Sequence, residues 1–501
     1  MPRQATPLQT PHPFPAAQRN GRHVDRRSNV ISSLKGPRGH WLLGNLREFR
    51  AGMLLFFEKY RDEFGAMSEF RLGRRHIILL SEPSLIEEVL VTQNRIFRKH
   101  FGVQLLKPVL GNGLLLSEGP FWLRQRRMMQ PAFSRQLSAG FAGIVLHHAC
   151  RLSQDWQAQP HRDLYRDMTA FTAQVAAEAL LGVEMSSDMR AITEALEEIH
   201  ADFEFRFQQI FNFPMWIPTQ SNRRLRGAVM KLTAVIDRMI SIRRRTGANG
   251  HDALALLIRA GDETGQRMSN QQLRDEVMTL LLAGHDTTAN AITWSWYLLS
   301  QHPQEAAKLQ RETLAVLQGR SPTSSDLGSL RCCRNVLLES MRLYPPAYMI
   351  GREAVCDCTV GGIKVRKGTS ILLCQWLVHR DPRYFDRPLE FLPDRWNENF
   401  ERRLPPYAYF PFGGGPRVCI GKELALLEGA LVLAVLGSRF NIRLEQPQEV
   451  RPWPTVTLRP AKGVEAKVTS SVAMDSGECI AKEVVNDEDR TDATRSCRAV
   501  T

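Results

Sequence analysis

Apolar residues recur at helical spacing through most of the stretch from about residue 33 to residue 468, whereas alternating, strand-like runs are few and short. The clearest helical pattern covers 269–301. Ser269 and Gln272 stand in a capping-box relation, an apolar run follows from Val277, and Pro303 stops the pattern just after His302. At about 1.5 Å per residue this helix would be roughly 50 Å long, enough to cross a whole domain. Further helices are predicted over 121–129, 168–181, 185–207, 222–245, 303–317, 331–343 and 422–436, and strands over 66–71, 76–80, 363–365 and 370–374. The pattern predicts a mainly α fold with a small β region.

No internal repeat or low-complexity linker divides 33–468, so this span is read as one domain. The polar head, 1–32, and the tail, 469–501, rich in Asp, Glu, Ser and Thr, lack that patterning and are expected to be disordered. Hydrophobic residues make up 43% of the 501 and charged residues 24%, the balance of a chain able to bury a large core. With 66 Lys and Arg against 52 Asp and Glu, the net charge is +14. That surface suits nucleic acid, anionic lipid or an acidic protein equally. No nucleic-acid-binding signature accompanies it, so no nucleic acid partner is expected. Nine irregularly placed cysteines fit a reducing compartment better than a disulfide framework, and Cys356 with Cys358 lacks the second half of a zinc site. No apolar run is long enough for a transmembrane span, and the head lacks a secretory pattern, so the protein is expected in the cytoplasm.

The chemistry is concentrated in Phe412-Gly413-Gly414-Gly415-Pro416-Arg417-Val418-Cys419-Ile420-Gly421. Three glycines before a cysteine permit backbone angles and a close approach that side chains would forbid, so a flat ligand could lie against this loop. The helix expected to begin near Gly421 places backbone N–H groups beside the sulfur, which favours thiolate. These residues resemble the haem loop of the cytochrome P-450 family, Phe-x-x-Gly-x-Arg-x-Cys-x-Gly, at every fixed position: Phe412, Gly415, Arg417, Cys419 and Gly421. The resemblance implies the P-450 fold, haem as cofactor, Cys419 as the axial iron ligand and Arg417 at a haem propionate.

Other segments agree with it in order. Glu339 and Arg342 share a helical face, and with Arg395 in Pro393-Asp394-Arg395-Trp396 they resemble the family's structural triad. Inside the long helix, Ala283-Gly284-His285-Asp286-Thr287-Thr288 carries a helix-loosening glycine and an aspartate in apolar surroundings. It resembles the family's oxygen-binding groove, with Asp286 and Thr287 as the acid and alcohol that relay protons during dioxygen reduction. Trp122 and Arg126 match a Trp-x-x-x-Arg that contacts a propionate, and Arg352 occupies the place of another propionate-binding arginine.

The resemblance implies a monooxygenase that inserts one atom of O2 into an organic substrate. Electrons would come from a separate ferredoxin or flavodoxin with its reductase, for which Arg124, Arg127 and Lys422 are candidate docking cations. Pocket walls are expected at 101–116, 203–216, 280–284 and 347–350, mostly apolar, which suits a lipophilic substrate such as a fatty acid, terpenoid or polyketide. Phe211, Phe213, Met215 and Trp216 are read as packing residues in preference to a membrane contact or an access channel. The alternative is a haem-thiolate sensor or carrier that binds a gas or lipid without turnover.

Overall fold

The computed structural model describes residues 34–471 except 135–136, 138–139, 183–186, 209–212, 247–251, 398 and 446–448. The long helix runs from Asn270 to Gln301. Its capping box is closed: Ser269 Oγ accepts from the Gln272 N–H at 3.2 Å, and the Gln272 side chain accepts from the Ser269 N–H at 2.8 Å. An amphipathic surface helix buries one stripe. This one buries every side chain from Ala289 to Leu299, because its second half crosses a core that also contains Trp156, Leu337 and Leu431. Its first half, through Leu273, Val277 and Leu281, belongs to a second apolar cluster with Leu180, Ile192, Leu232 and Leu254. The Leu164–Leu181 helix packs along it.

The β region is a five-stranded mixed sheet in the order Met67–Leu72, Arg75–Leu80, Ser370–Leu373, Ile350–Ala354, Phe97–Lys99, with three smaller sheets. Only the pairing of Arg75–Leu80 with Ser370–Leu373 is parallel in it. Phe97–Lys99 and Ile350–Ala354 escape the sequence pattern because each is short, and together they carry Lys99 and Arg352 toward the site.

Other departures have local causes. The Leu164–Leu181 helix starts a turn before the expected 168, since Asp163 caps it by accepting from the Tyr165 N–H at 3.0 Å. Ala142–Ala158 was not expected as a helix. Its buried stripe includes His148 and Ser153, which interrupt the apolar period, and His148 is accommodated by Glu178 at 2.7 Å. The expected tail loses its first two residues to a strand, Glu465–Ser470, in which Thr469 and Ser470 pair with Asn441 and Phe440. The head, 1–32, and residues 472–501 lie outside the described residues. Among the described residues six cysteines are free thiols. Among the described residues no helix is long and apolar enough to cross a membrane.

Candidate active site

The loop before Cys419 is built by its own hydrogen bonds. Cys419 N–H donates to Phe412 O at 2.9 Å, and Val418 N–H to Gly415 O at 3.1 Å. Gly415 has a φ of 63°, and a Cβ there would stand 2.1 Å from Leu90 O, so only glycine fits. The Gly415 N–H in turn donates to the Tyr407 hydroxyl at 3.0 Å. The helix Lys422–Gly437 follows, with Gly421 at its N-cap.

Cys419 is enclosed by protein and yet its side chain is accessible, so an opening in the interior reaches the thiol. Burial pushes its pKa up, while the Gly421 N–H, Arg126 and Lys422 act in the opposite direction. The loop and helix thus act on the sulfur in the expected direction, through the Gly421 N–H. Desolvation outweighs them, and a metal cation is what would hold the sulfur deprotonated.

Around the sulfur the structure gathers basic side chains from four separate segments. Arg126 donates to Val418 O at 2.9 Å and to Gln130 Oε1 at 3.1 Å. Arg417 lies over the Trp122 ring at 4.2 Å, donates to Ser117 O at 3.2 Å and pairs with Glu118. Burial and then the neighbouring Arg417 push Arg352 down to about 10 and Lys99 down to about 6. Burial and then Arg352 push His100 down to about 4. Among the described residues Lys99 Nζ donates to carbonyls alone, Leu114 O at 3.0 Å and Ser117 O at 3.5 Å. Arg126, Arg352 and Arg417 carry positive charge here, and Lys99 and His100 are basic groups that would gain theirs beside an anion, so the cluster around Glu118 suits an anion. Lys99 and His100 were missed, and the signal was the Arg98-Lys99-His100 run at the end of a short apolar stretch.

The third wall is the long helix. Ala283 and Gly284 are exposed and Thr287 is half-buried, although the helix is buried on either side of them, and a Cβ on Gly284 would meet nothing within 4 Å. The helix does not break or loosen here. It remains α-helical throughout, and the opening is made by small side chains at 283 and 284. Thr287 Oγ1 donates to Ala283 O at 2.7 Å. Asp286 points elsewhere. Its buried carboxylate accepts from the Thr457 hydroxyl and from Asn290 Nδ2 at 3.3 Å, and lies 3.5 Å from His200 Nδ1. The acid and the alcohol are adjacent in sequence, but their side chains do not meet in this structure.

An accessible sulfur in the interior, a helix face stripped of side chains and a cluster of cations fit a flat dianionic metal macrocycle such as haem. Glu339 accepts from Arg342 at 2.8 and 2.9 Å, from Arg395 Nε at 3.1 Å and from Trp396 Nε1 at 2.9 Å. Arg342 also donates to the carbonyls of His379, Pro388 and Glu390 at 2.6–3.0 Å. His379 Nε2 accepts from Phe410 N–H at 3.0 Å, which ties the cluster to the cysteine loop.

Several expected roles change. Arg124 is paired with Asp262 at 2.6 Å and Arg127 with Glu263, so these cations already have acidic neighbours within the chain. Lys422 stands 5.8 Å from the Phe412 ring. Among the expected pocket walls, Ile350 Cδ1 reaches within 3.3 Å of where a Gly413 Cβ would be, so it faces the cysteine loop. Tyr348 does not line a pocket; it is buried in a satellite core, with its hydroxyl on Thr455 O at 2.7 Å. Phe101 is turned to the Arg75 guanidinium at 4.0 Å. Phe213 and Trp216, read as packing residues, are 61% and 77% exposed, and Phe211 lies outside the described residues.

This fold and site define a haem-thiolate oxygenase. The family model for cytochrome P450 matches residues 34–468, and the chain belongs to that family. It is an oxidoreductase that incorporates oxygen and carries haem with a cysteine thiolate ligand. Cyclooctatin synthase of Streptomyces melanosporofaciens is 36% identical over 400 residues, 79% of this chain and 86% of that protein. Cyclooctat-9-en-7-ol 5-monooxygenase of the same organism is 35% identical over 383 residues, 76% and 83% of the two chains. The crystal structure of the cytochrome P450DA heme domain superposes with a TM-score of 0.80 at 27% identity, covering 89% of this chain and 99% of that one.

Proposed function

We propose that Cys419 is the axial ligand and that Arg126, Arg352, Arg417, Lys99 and His100, with Trp122, hold the haem propionates. Phe412, Gly415 and Gly421 shape the loop that presents the sulfur. The observation that carries this reading is the enclosed yet accessible Cys419 thiol, on which Arg126 and Lys422 act, in a loop whose Arg417 belongs to a cluster of basic groups. When bound, haem supplies dioxygen activation, with one oxygen atom entering the substrate and the other leaving as water. Thr287 Oγ, on the accessible helix face, orients a proton donor there. Asp286 delivers protons from the buried side once its carboxylate turns from Thr457 and Asn290. Glu339, Arg342 and Arg395 position the loop and touch no reactant.

The substrate in this reading is a cyclic terpenoid, supported by the names of the two Streptomyces relatives and by the small, exposed positions Ala283 and Gly284 on the long helix. Electrons come from a separate ferredoxin- or flavodoxin-type protein, and Lys422, beside the sulfur, remains the docking cation of the three first considered. The six free thiols among the described residues favour a cytoplasmic setting.

The deciding experiment is the reduced, carbon monoxide-treated spectrum. A red-shifted Soret band in the wild type and its loss in Cys419→Ala are expected; a variant that keeps the band overturns the ligand assignment. Titration with cyclic terpenoid alcohols and with fatty acids of equal carbon number separates the substrate classes. A spin-state change with fatty acids alone would remove the terpenoid reading.

A further inference from the structure

The Asp286 carboxylate is connected to a second helix by a side chain that the oxygenase reading does not use. His200, on the helix Ser187–Gln208, places Nδ1 3.5 Å from Asp286 Oδ1. Its other ring nitrogen, Nε2, lies 3.4 Å from the hydroxyl of Tyr165 on the helix Leu164–Leu181. The Asp286 side chain is 11% exposed and the His200 side chain 21%, and Tyr165 is half-buried.

An imidazole with a carboxylate at ion-pair distance from one nitrogen and a hydroxyl hydrogen-bonded to the other can take a proton on one side and pass one on the other once the carboxylate closes to hydrogen-bond distance. Asp286 has two further partners, the Asn290 amide and the Thr457 hydroxyl. An amide supplies no proton at neutral pH, and Thr457 is itself buried. His285, the neighbour of Asp286 in sequence, is enclosed, and its Nε2 has no hydrogen-bond partner. Of the groups around Asp286, His200 therefore has both the proton affinity and the outward contact.

We propose that His200 is the proton relay that recharges Asp286, with Tyr165 at the outer end of the path. The Nδ1–H bond breaks as an O–H bond forms on Asp286 Oδ1. Nε2 takes the Tyr165 hydroxyl proton, the hydroxyl regains one from solvent hydronium, and exchange of the Nε2 proton for one on Nδ1 with solvent resets the imidazole for the next transfer. No electron moves, and solvent is the proton source. The proposal rests on the assignment of Asp286 as proton donor. It also makes the helix Ser187–Gln208 part of proton delivery, because displacing that helix would open the contact.

The test uses the haem-loaded full chain with NADH, a 2Fe–2S ferredoxin and its NADH-dependent reductase as surrogate donors. Dioxygen consumption is followed in H2O and D2O for the wild type, His200→Gln, Tyr165→Phe and Asp286→Asn. His200→Gln retains hydrogen bonding but cannot relay, so consumption is expected to fall about tenfold and its solvent isotope effect to rise, with the carbon monoxide spectrum unchanged. Tyr165→Phe should slow the same step by a smaller factor, and it decides the matter should His200→Gln fail to fold. A second readout is independent of turnover: in 15N-histidine-labelled protein, the His200 Nδ1 resonance should move in Asp286→Asn and the Nε2 resonance in Tyr165→Phe. Wild-type consumption in His200→Gln beside a slow Asp286→Asn overturns the relay and leaves Asp286 as donor. Wild-type consumption in Asp286→Asn removes the donor and the relay together. His200 resonances that ignore Asp286→Asn overturn the relay even if His200→Gln is slow.

Discussion

Arg342 grips both carboxylate oxygens of Glu339 in a two-pronged pair with no solvent exposure on either side chain. Burying two charges is costly, and what offsets the cost is the completeness of the network, in which carbonyls, Arg395 and Trp396 take up the remaining valences. Glu339→Ala would leave the Arg342 guanidinium buried with no carboxylate. We expect a loss of about 3–5 kcal/mol, read by urea unfolding, with haem content falling in parallel. A loss below about 1 kcal/mol would mean that the pair is dispensable.

The turn before the sulfur gives a second expectation. Gly415→Ala places a methyl group against Leu90 O at a positive φ, so the loop must shift. The strain is of the order of 1–3 kcal/mol, and the carbon monoxide spectrum should show loss of the thiolate band well before global unfolding. A normal band and wild-type stability would show that the turn has slack.

Glu276 supplies a pH dependence. Burial pushes its carboxyl up to about 8, partly countered by the Leu114 N–H, which it accepts at 2.8 Å. Because the folded pKa is above that of the unfolded chain, the folded state holds a proton that the unfolded state has lost between about 4.5 and 8. The contribution to stability is whole below that window and is lost as pH rises through it, at about 1.4 kcal/mol per unit. Urea unfolding from pH 5 to 9 should therefore show the wild type falling relative to Glu276→Gln. Parallel curves would contradict the shift.

Thr287→Ala tests the alcohol. Removing the hydroxyl from the accessible helix face should leave NADH consumption within about threefold, while product yield falls and hydrogen peroxide rises, because proton delivery at the site becomes disordered. Unchanged coupling of NADH to product would remove Thr287 from the reaction.

The sites of chemistry were legible where they are local. The capping box at Ser269, the glycine turn before Cys419 and the Glu339–Arg342 spacing depend on residues within a few positions of one another, and hydrogen bonds at those spacings follow from helix and turn geometry. The helix over 142–158 was hidden because its buried stripe contains His148, a polar residue made tolerable by Glu178 from another helix.

The sequence by itself therefore determined the mainly helical fold, the cysteine loop and the family to which the chain belongs. Only the tertiary structure decided which charges are shared. Lys99, His100 and Arg352 arrive on separate short strands and loops, Glu118 meets Arg417 across about three hundred residues, and Asp286 turns to His200 and Thr457 and not to its neighbour Thr287. Backbone periodicity is set by the chain's own geometry, whereas an ion pair or relay depends on which distant segments packing brings within a few ångströms, and burial then decides the protonation of each group.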